Sequence, residues 1–238
     1  NAESFNGSIL LENNLINNIS EGDVVINLTG QISDNIKDFI EMNTTGVLNL
    51  LDICKQKKAK QVIIISSISV YGEASKNPHK EMQCLRPKTL YGLIKVLNEK
   101  ICEFYSRNYN LNITILRLSV LYGLEQKAGL MGMITNYFKS KNKIRINHNG
   151  TQLRDFLYIG DAIKGIVLSC KKEINGFKIY NISSGKKFSI INIIEKIERC
   201  TNQKLDTQYV SYAPDELCIW ADNSKAKKEL LFKPDINL

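Results

Sequence analysis

Tyr91 and Lys95 stand four residues apart, so a helix places both on one face. A lysine ammonium beside a phenol favours the phenolate and lowers the tyrosine pKa. Upstream, Val62-Ile63-Ile64-Ile65 runs into Ser66-Ser67-Ile68-Ser69-Val70-Tyr71-Gly72. A hydroxyl at Ser67 can share or relay a proton at the oxygen that Tyr91 addresses. Three such groups suit proton transfer at an alcohol or carbonyl while a cofactor carries hydride. A tyrosine and a lysine at this spacing also occur by chance on surface helices, so the pair gains weight only from the serines beside it.

The elements that must position these groups are legible. The run at 62–65 is short, β-branched and unbroken, which predicts a strand buried on both faces of a parallel sheet. Its hydroxyls then lie at the C-terminal edge, where open α/β folds place ligands. Asp23-Val24-Val25-Ile26-Asn27-Leu28-Thr29-Gly30 predicts a second buried strand and a small-residue turn, in which Gly30 either admits close backbone approach or simply ends the strand. Helical periodicity covers 34–58 and 91–108, with strands expected at 112–118 and 178–182. Further helices are expected at 128 onward, 162–172 and, capped by Ser189, to about residue 200. The segment 73–90 reads as a loop, and residues 1–22 are polar and Asn-rich with a short apolar piece at Ile9-Leu10-Leu11.

These segments together resemble the extended short-chain dehydrogenase/reductase superfamily, the sugar-nucleotide epimerases, dehydratases and reductases. The carrying residues are Ser67 four before Tyr71-Gly72, the Tyr91-x-x-x-Lys95 helix, and Asn43-Thr44-Thr45-Gly46 leading into Asn49-Leu50-Leu51. Also similar are Arg117 followed by Tyr122-Gly123, the stretch Gly150 to Asp161 with Arg154-Asp155-Phe156, and Ser224-Lys225-Ala226 followed by Glu229-Leu230 and Pro234. Glu81 and Pro87 answer the acidic and proline positions before the tyrosine. The chain departs from the pattern at Val120, where an asparagine commonly contacts the nucleotide-sugar, and at Tyr212, where a second phosphate-binding arginine is usual.

The resemblance implies an α/β doubly wound parallel sheet, Rossmann-like and N-terminally incomplete, with a small C-terminal substrate-binding region. The cofactor-binding part is expected over 1–120 and again over 154–182, with substrate segments at 121–153 and 183–238. It implies NAD or NADP as cofactor, a nucleotide-sugar as substrate, and a homodimer formed through the helix carrying Tyr91. Ser67, Tyr91 and Lys95 are the implied catalytic residues. Leu28, Thr29, Gly30, Asn43, Tyr91, Lys95 and Leu118 would meet the cofactor. Ser67, Ser69, Val120 and Arg154 would meet the substrate, the arginine at phosphate. An epimerase leads over a 4-keto-sugar reductase, which shares the apparatus. A 4,6-dehydratase ranks low, because the usual Asp-Glu pair is Ile68-Ser69. A non-catalytic Rossmann-like binding or regulatory protein is the reading from another class.

The family's opening strand, Gly-x-x-Gly-x-x-Gly turn and helix, which hold a pyrophosphate, have no counterpart in residues 1–22. The chain is therefore expected to be a fragment or the ordered part of a longer protein, or a protein that has lost cofactor binding. A sheet without that unit exposes an apolar edge.

Bulk properties bound the partners. The 238 residues can bury a sizeable core, and 43% are hydrophobic. Net charge is +8, from 32 Lys and Arg against 24 Asp and Glu. The lysine clusters around 55–60 and 139–143 come without a nucleic-acid-binding motif, so solvated surface is the expected use, and a mild positive field also suits a diphosphate. Six scattered cysteines without CxxC spacing and two histidines argue against a metal site and for a reducing cytoplasm. Cys54, Cys102, Cys170 and Cys200 are expected as buried small hydrophobes. No apolar run approaches a membrane span.

Overall fold

The computed structural model describes residues 3–4, 8–30, 35–73, 77–210 and 218–236. Tyr212, Asn1-Ala2 and Gly7 lie outside them. Four parallel strands form the main sheet: β1 (Val24–Asn27), β2 (Gln61–Ser67), β3 (Ile113–Leu118) and β8 (Phe177–Ile182), in that order. Short strands lie beyond its C-terminal edge. These are β4 (Val120–Tyr122) with β7 (Phe156–Tyr158), β5 (Ile144–Asn147) with β10 (Thr207–Val210), and β6 (Leu153–Arg154) between β9 (Phe188–Ser189) and β11 (Cys218–Ile219). The helices are α1 (Glu12–Ile16), α2 (Ile36–Ile40), α3 (Gly46–Gln56), α4 (Leu90–Tyr109), α5 (Gly129–Ser140), α6 (Ile159–Lys171), α7 (Ile190–Thr201) and α8 (Ser224–Leu230).

The period of two along each strand divides the core. Val62, Ile64, Ile113 and Ile115 face one layer with Leu50, Leu51, Cys54 and Cys102. Ile63, Leu116, Leu118, Tyr180 and Ile182 face the opposite layer with Ala162, Ala226 and Phe232. Helices thus cover both faces, as the uninterrupted apolar strands require. A third cluster joins α5, α7 and β5 through Ile134, Tyr137, Ile144, Ile146, Ile193 and Ile194.

Three local features differ from the sequence expectation. The predicted helix at 34–58 is α2 and α3 joined by a π-helical turn, Glu41–Thr45. Such a turn inserts one residue, which a periodicity count does not register. The polar N-terminal stretch contains α1 and buries Ile9, Leu15 and Ile19, while the Asn49 Nδ2 donates to the carbonyls of Ile9 and Leu10 at 3.4 and 3.2 Å. Among the expected buried cysteines, Cys54 and Cys102 are buried, but Cys170 is only partly so and Cys200 is exposed near the end of α7.

Candidate active site

β2 ends at Ser67, and Ile68–Val70 then form one 3-10 turn. The Ser67 Oγ caps it, accepting from the Ser69 amide at 3.2 Å and the Ser69 hydroxyl at 3.0 Å. α4 starts beside this turn. Thr89 caps it by accepting from the Gly92 amide at 3.1 Å. The Ser67 side chain lies close enough to the Tyr91 hydroxyl to favour its phenolate. Lys95 is 7% exposed, and its Nζ donates to the Ile65 carbonyl at 3.1 Å while standing 5.6 Å from the Tyr91 ring centre. Ser67, Ser69, Tyr91 and Lys95 are therefore brought together by one strand end and one helix start.

Tyr91 keeps 37% of its surface exposed, yet the protein packed around its hydroxyl opposes the lowering expected from Lys95. Desolvation is the larger influence and raises its pKa above 10.0, with the Ser67 side chain pulling the other way. Lys95 is pushed down from 10.5, again by burial first, with Glu99 opposing. Each group disfavours its charged form where water is scarce.

Gly30 faces the same space. A Cβ built there would lie 3.6 Å from the Asn43 Oδ1 and 3.8 Å from the Lys95 Nζ, so any larger side chain would occupy the cradle between them. Asn43 is buried in the π-turn, its Nδ2 donating to the Phe39 carbonyl at 2.8 Å. Asn98 of α4 donates to the Asn43 carbonyl at 2.7 Å, which ties the turn to the helix bearing Lys95. Thr29 is exposed and donates through its amide and hydroxyl to the Asn27 Oδ1 at 2.9 and 2.6 Å. Leu28 is 68% exposed at the end of β1. Leu118 is buried and pairs with Ser67 across the sheet. A ring-bearing cofactor lying over these strand ends would meet small or apolar groups, with a cation and a hydroxyl at its edge.

The implied substrate residues are less concentrated. Val120 is 37% exposed on β4, and its amide donates to the Asp155 carbonyl at 3.0 Å. Arg154 stands on β6, its Nη1 donating to the Leu153 carbonyl at 3.0 Å. Its neighbour Asp155 is fully buried and accepts from the Ser184 amide and hydroxyl at 3.0 and 2.7 Å and from the Gly185 amide at 3.3 Å. It thus braces the turn after β8.

Beneath Ser67, Tyr91 and Lys95, sequence reasoning named Arg117, Tyr71 and Glu81 only as positions matching the resemblance and missed Asn98 and Glu99. Glu99 and Arg117, 3% and 2% exposed, form a buried ion pair that reaches Ser66, Tyr71 and the Glu81 carbonyl. Arg117 is held above its ordinary pKa: burial opposes its charge, but Glu99 outweighs burial. Tyr71 is pushed up to about 12 by burial against the pull of Arg117. Glu81 accepts from the Asn181 amide at 2.9 Å, which is a structural brace. The signal for Asn98 and Glu99 was their spacing of three and four from Lys95.

A parallel sheet with a serine, a tyrosine and a lysine converging at its C-terminal edge defines a short-chain dehydrogenase-like α/β protein. Residues 3–183 match the NAD dependent epimerase/dehydratase family, and the chain belongs to it. A UDP-glucuronate 4-epimerase from Thermodesulfobacterium geofontis is 32% identical over 203 residues, covering 84% of this chain and 62% of that relative. The UDP-glucuronic acid 4-epimerase from Bacillus cereus, crystallised with UDP-glucuronic acid and NAD, superposes with a TM-score of 0.87 at 29% identity, over 98% of this chain and 74% of the other. The dTDP-glucose 4,6-dehydratase DesIV from Streptomyces venezuelae has a TM-score of 0.91 at 20% identity, covering 98% of this chain and 74% of that one, a likeness of fold. The chain thus spans less than two thirds of the length of that curated relative.

Among the described residues, no cluster of three His, Cys, Asp or Glu could hold a metal ion, and no helix is long and apolar enough to cross a membrane.

Proposed function

We propose that the protein is an NAD-dependent 4-epimerase of a nucleotide-sugar, with UDP-linked sugars favoured by the relatives. The observation that carries this reading is the convergence of Ser67, Tyr91 and Lys95 at the strand end. Tyr91 takes the proton from a sugar hydroxyl and returns it to the ketone. Ser67 hydrogen-bonds the same oxygen, and Ser69 holds Ser67 in place. Lys95 holds the cofactor ribose and supplies positive charge next to Tyr91. NAD, which Lys95 and the β1 end would hold, would supply reversible hydride chemistry at the sugar carbon.

Leu28, Thr29, Gly30, Asn43 and Leu118 are assigned to the cofactor, and Val120 and Arg154 to the substrate, with the arginine at phosphate. Segments 121–153 and 183–238 are assigned to the substrate-binding region and the remainder to the cofactor domain. Ile68 is buried where a dehydratase would carry an acid, which favours epimerisation. A 4-keto-sugar reductase would use the same three groups, and the 4-epimerase relatives weigh against it. The free cysteines fit a reducing cytoplasm. Leu93, Leu97 and Phe104 give α4 an exposed apolar face, which supports a homodimer; a monomer by light scattering would remove that assignment.

The test is calorimetric titration with NAD and then UDP-glucuronic acid, followed by NMR detection of the C4 epimer. Binding of both with formation of the epimer is expected. No binding by the folded, full-length protein would sink the enzyme reading, and binding without an epimer would promote the reductase.

A further inference from the structure

The face of α4 that presents Tyr91 and Lys95 continues inward as Asn98, Glu99 and Cys102, 3%, 3% and 0% exposed. A carboxylate this deep requires partners. The Glu99 Oε1 accepts from the Ser66 hydroxyl at 2.5 Å and the Arg117 Nε at 3.0 Å. Its Oε2 accepts from the Arg117 Nη2 at 2.5 Å and Nε at 3.2 Å. One side chain therefore joins α4, β3 and the residue of β2 directly before Ser67. It also sits one helical turn from Lys95.

We propose that Glu99 is a positioning residue of the proton-transfer site: through Ser66 it fixes the strand end that presents Ser67, and it supplies the negative charge one turn below the Lys95 ammonium. The consequence for turnover rests on the function proposed above; the placement itself does not.

Among the described residues, Lys95 is faced by Tyr91 and Glu99 of its own helix and by the Ile65 carbonyl of β2, with the Asn43 Oδ1 across Gly30. Arg117 of β3 stands behind Glu99, with Tyr71 and the loop carrying Glu81 on its far side, and Cys102 lies further along α4. Glu99 is thus the anion between two buried cations. Neutralising it leaves Lys95 and Arg117 uncompensated, and the lysine is the one able to release its proton.

The test is the titration of Lys95, followed by NMR of 13Cε-labelled lysine in the wild-type protein and in Glu99→Gln. The apparent pKa is expected to fall by at least about one unit in the variant. The alkaline limb of kcat/KM should move by the same amount, with KM for the sugar nucleotide little changed. An unchanged Lys95 titration in folded Glu99→Gln overturns the proposal. If that variant does not fold, Ser66→Ala decides: hydrogen exchange at the Ser67 amide should accelerate at least about tenfold, and unchanged exchange overturns it. Because neither readout needs turnover, a shifted Lys95 titration in a protein without epimerase activity supports the role of Glu99 and counts only against the proposed reaction.

Discussion

Gly92 lies directly against the carbonyl of Ser69: a Cβ added to it would stand 2.7 Å from that oxygen and 3.0 Å from the Pro87 Cβ. The first turn of α4 reaches the turn after β2 only because no side chain intervenes. This approach sets Tyr91 beside Ser67. Gly92→Ala must push the helix from the strand end, at a cost of about 1–3 kcal/mol for the overpacking. Urea unfolding should register that loss. Turnover should fall further than stability alone explains, since misplacement by about 1 Å can cost roughly a hundredfold. Wild-type stability in the alanine variant would contradict the close contact.

Tyr91→Phe keeps the ring over which Lys95 sits and removes the only hydroxyl assigned to move the substrate proton. Turnover should drop by about 10²–10⁴-fold, the ordinary worth of a positioned acid or base. Affinity for NAD, measured by calorimetry, should stay nearly the same. A variant that turns over normally would take Tyr91 out of the mechanism.

The rate should depend on pH in a definite sense. The Tyr91 pKa is raised, so its basic form is a minority at neutral pH and grows as pH rises. Below that pKa, kcat/KM should climb toward about tenfold per pH unit. Lys95, lowered from 10.5, loses its positive charge on the alkaline side, so the climb should bend over there. A profile that is flat from neutral to alkaline pH would show that another group sets the rate.

How much of this was visible in the sequence follows from the physics of each part. β2 and the Tyr91–Lys95 pair were legible because a β-branched run and a four-residue spacing are local patterns. The buried stripe of Lys95, Asn98 and Glu99 was not. Polar residues on a helix ordinarily mark its wet face, and only Arg117 and Ser66, brought in from β3 and β2, make the interior hospitable to them. The sign at Tyr91 was likewise illegible, because spacing gives the neighbour but not the protein packed around the hydroxyl. The position of Arg154 on a separate small sheet depends on pairing with β9 and β11, distant in sequence.

Arg117→Met tests that buried pair as a matter of stability. It leaves the Glu99 carboxylate in the core without its guanidinium and deprives the Tyr71 hydroxyl and Glu81 carbonyl of a donor. Breaking one side of such a pair costs about 3–5 kcal/mol. Denaturant unfolding should show a loss of that size, and the double change Glu99→Met with Arg117→Met should lose less than Arg117→Met alone. Equal losses would mean that the isolated carboxylate bears no special penalty.

The π-turn at Glu41–Thr45 splits one helical run into two angular registers. Phe39 is buried on the first, and Val47, Leu50, Leu51 and Cys54 on the second. Each helical residue advances the chain by about 100° around the axis, at roughly 3.6 residues per turn. Loss of one codon here would turn the π-turn into an ordinary α-turn, keeping the two apolar stripes in line but carrying Asn43 away from Gly30. The gene can therefore vary in spelling across this segment far more freely than it can vary in length.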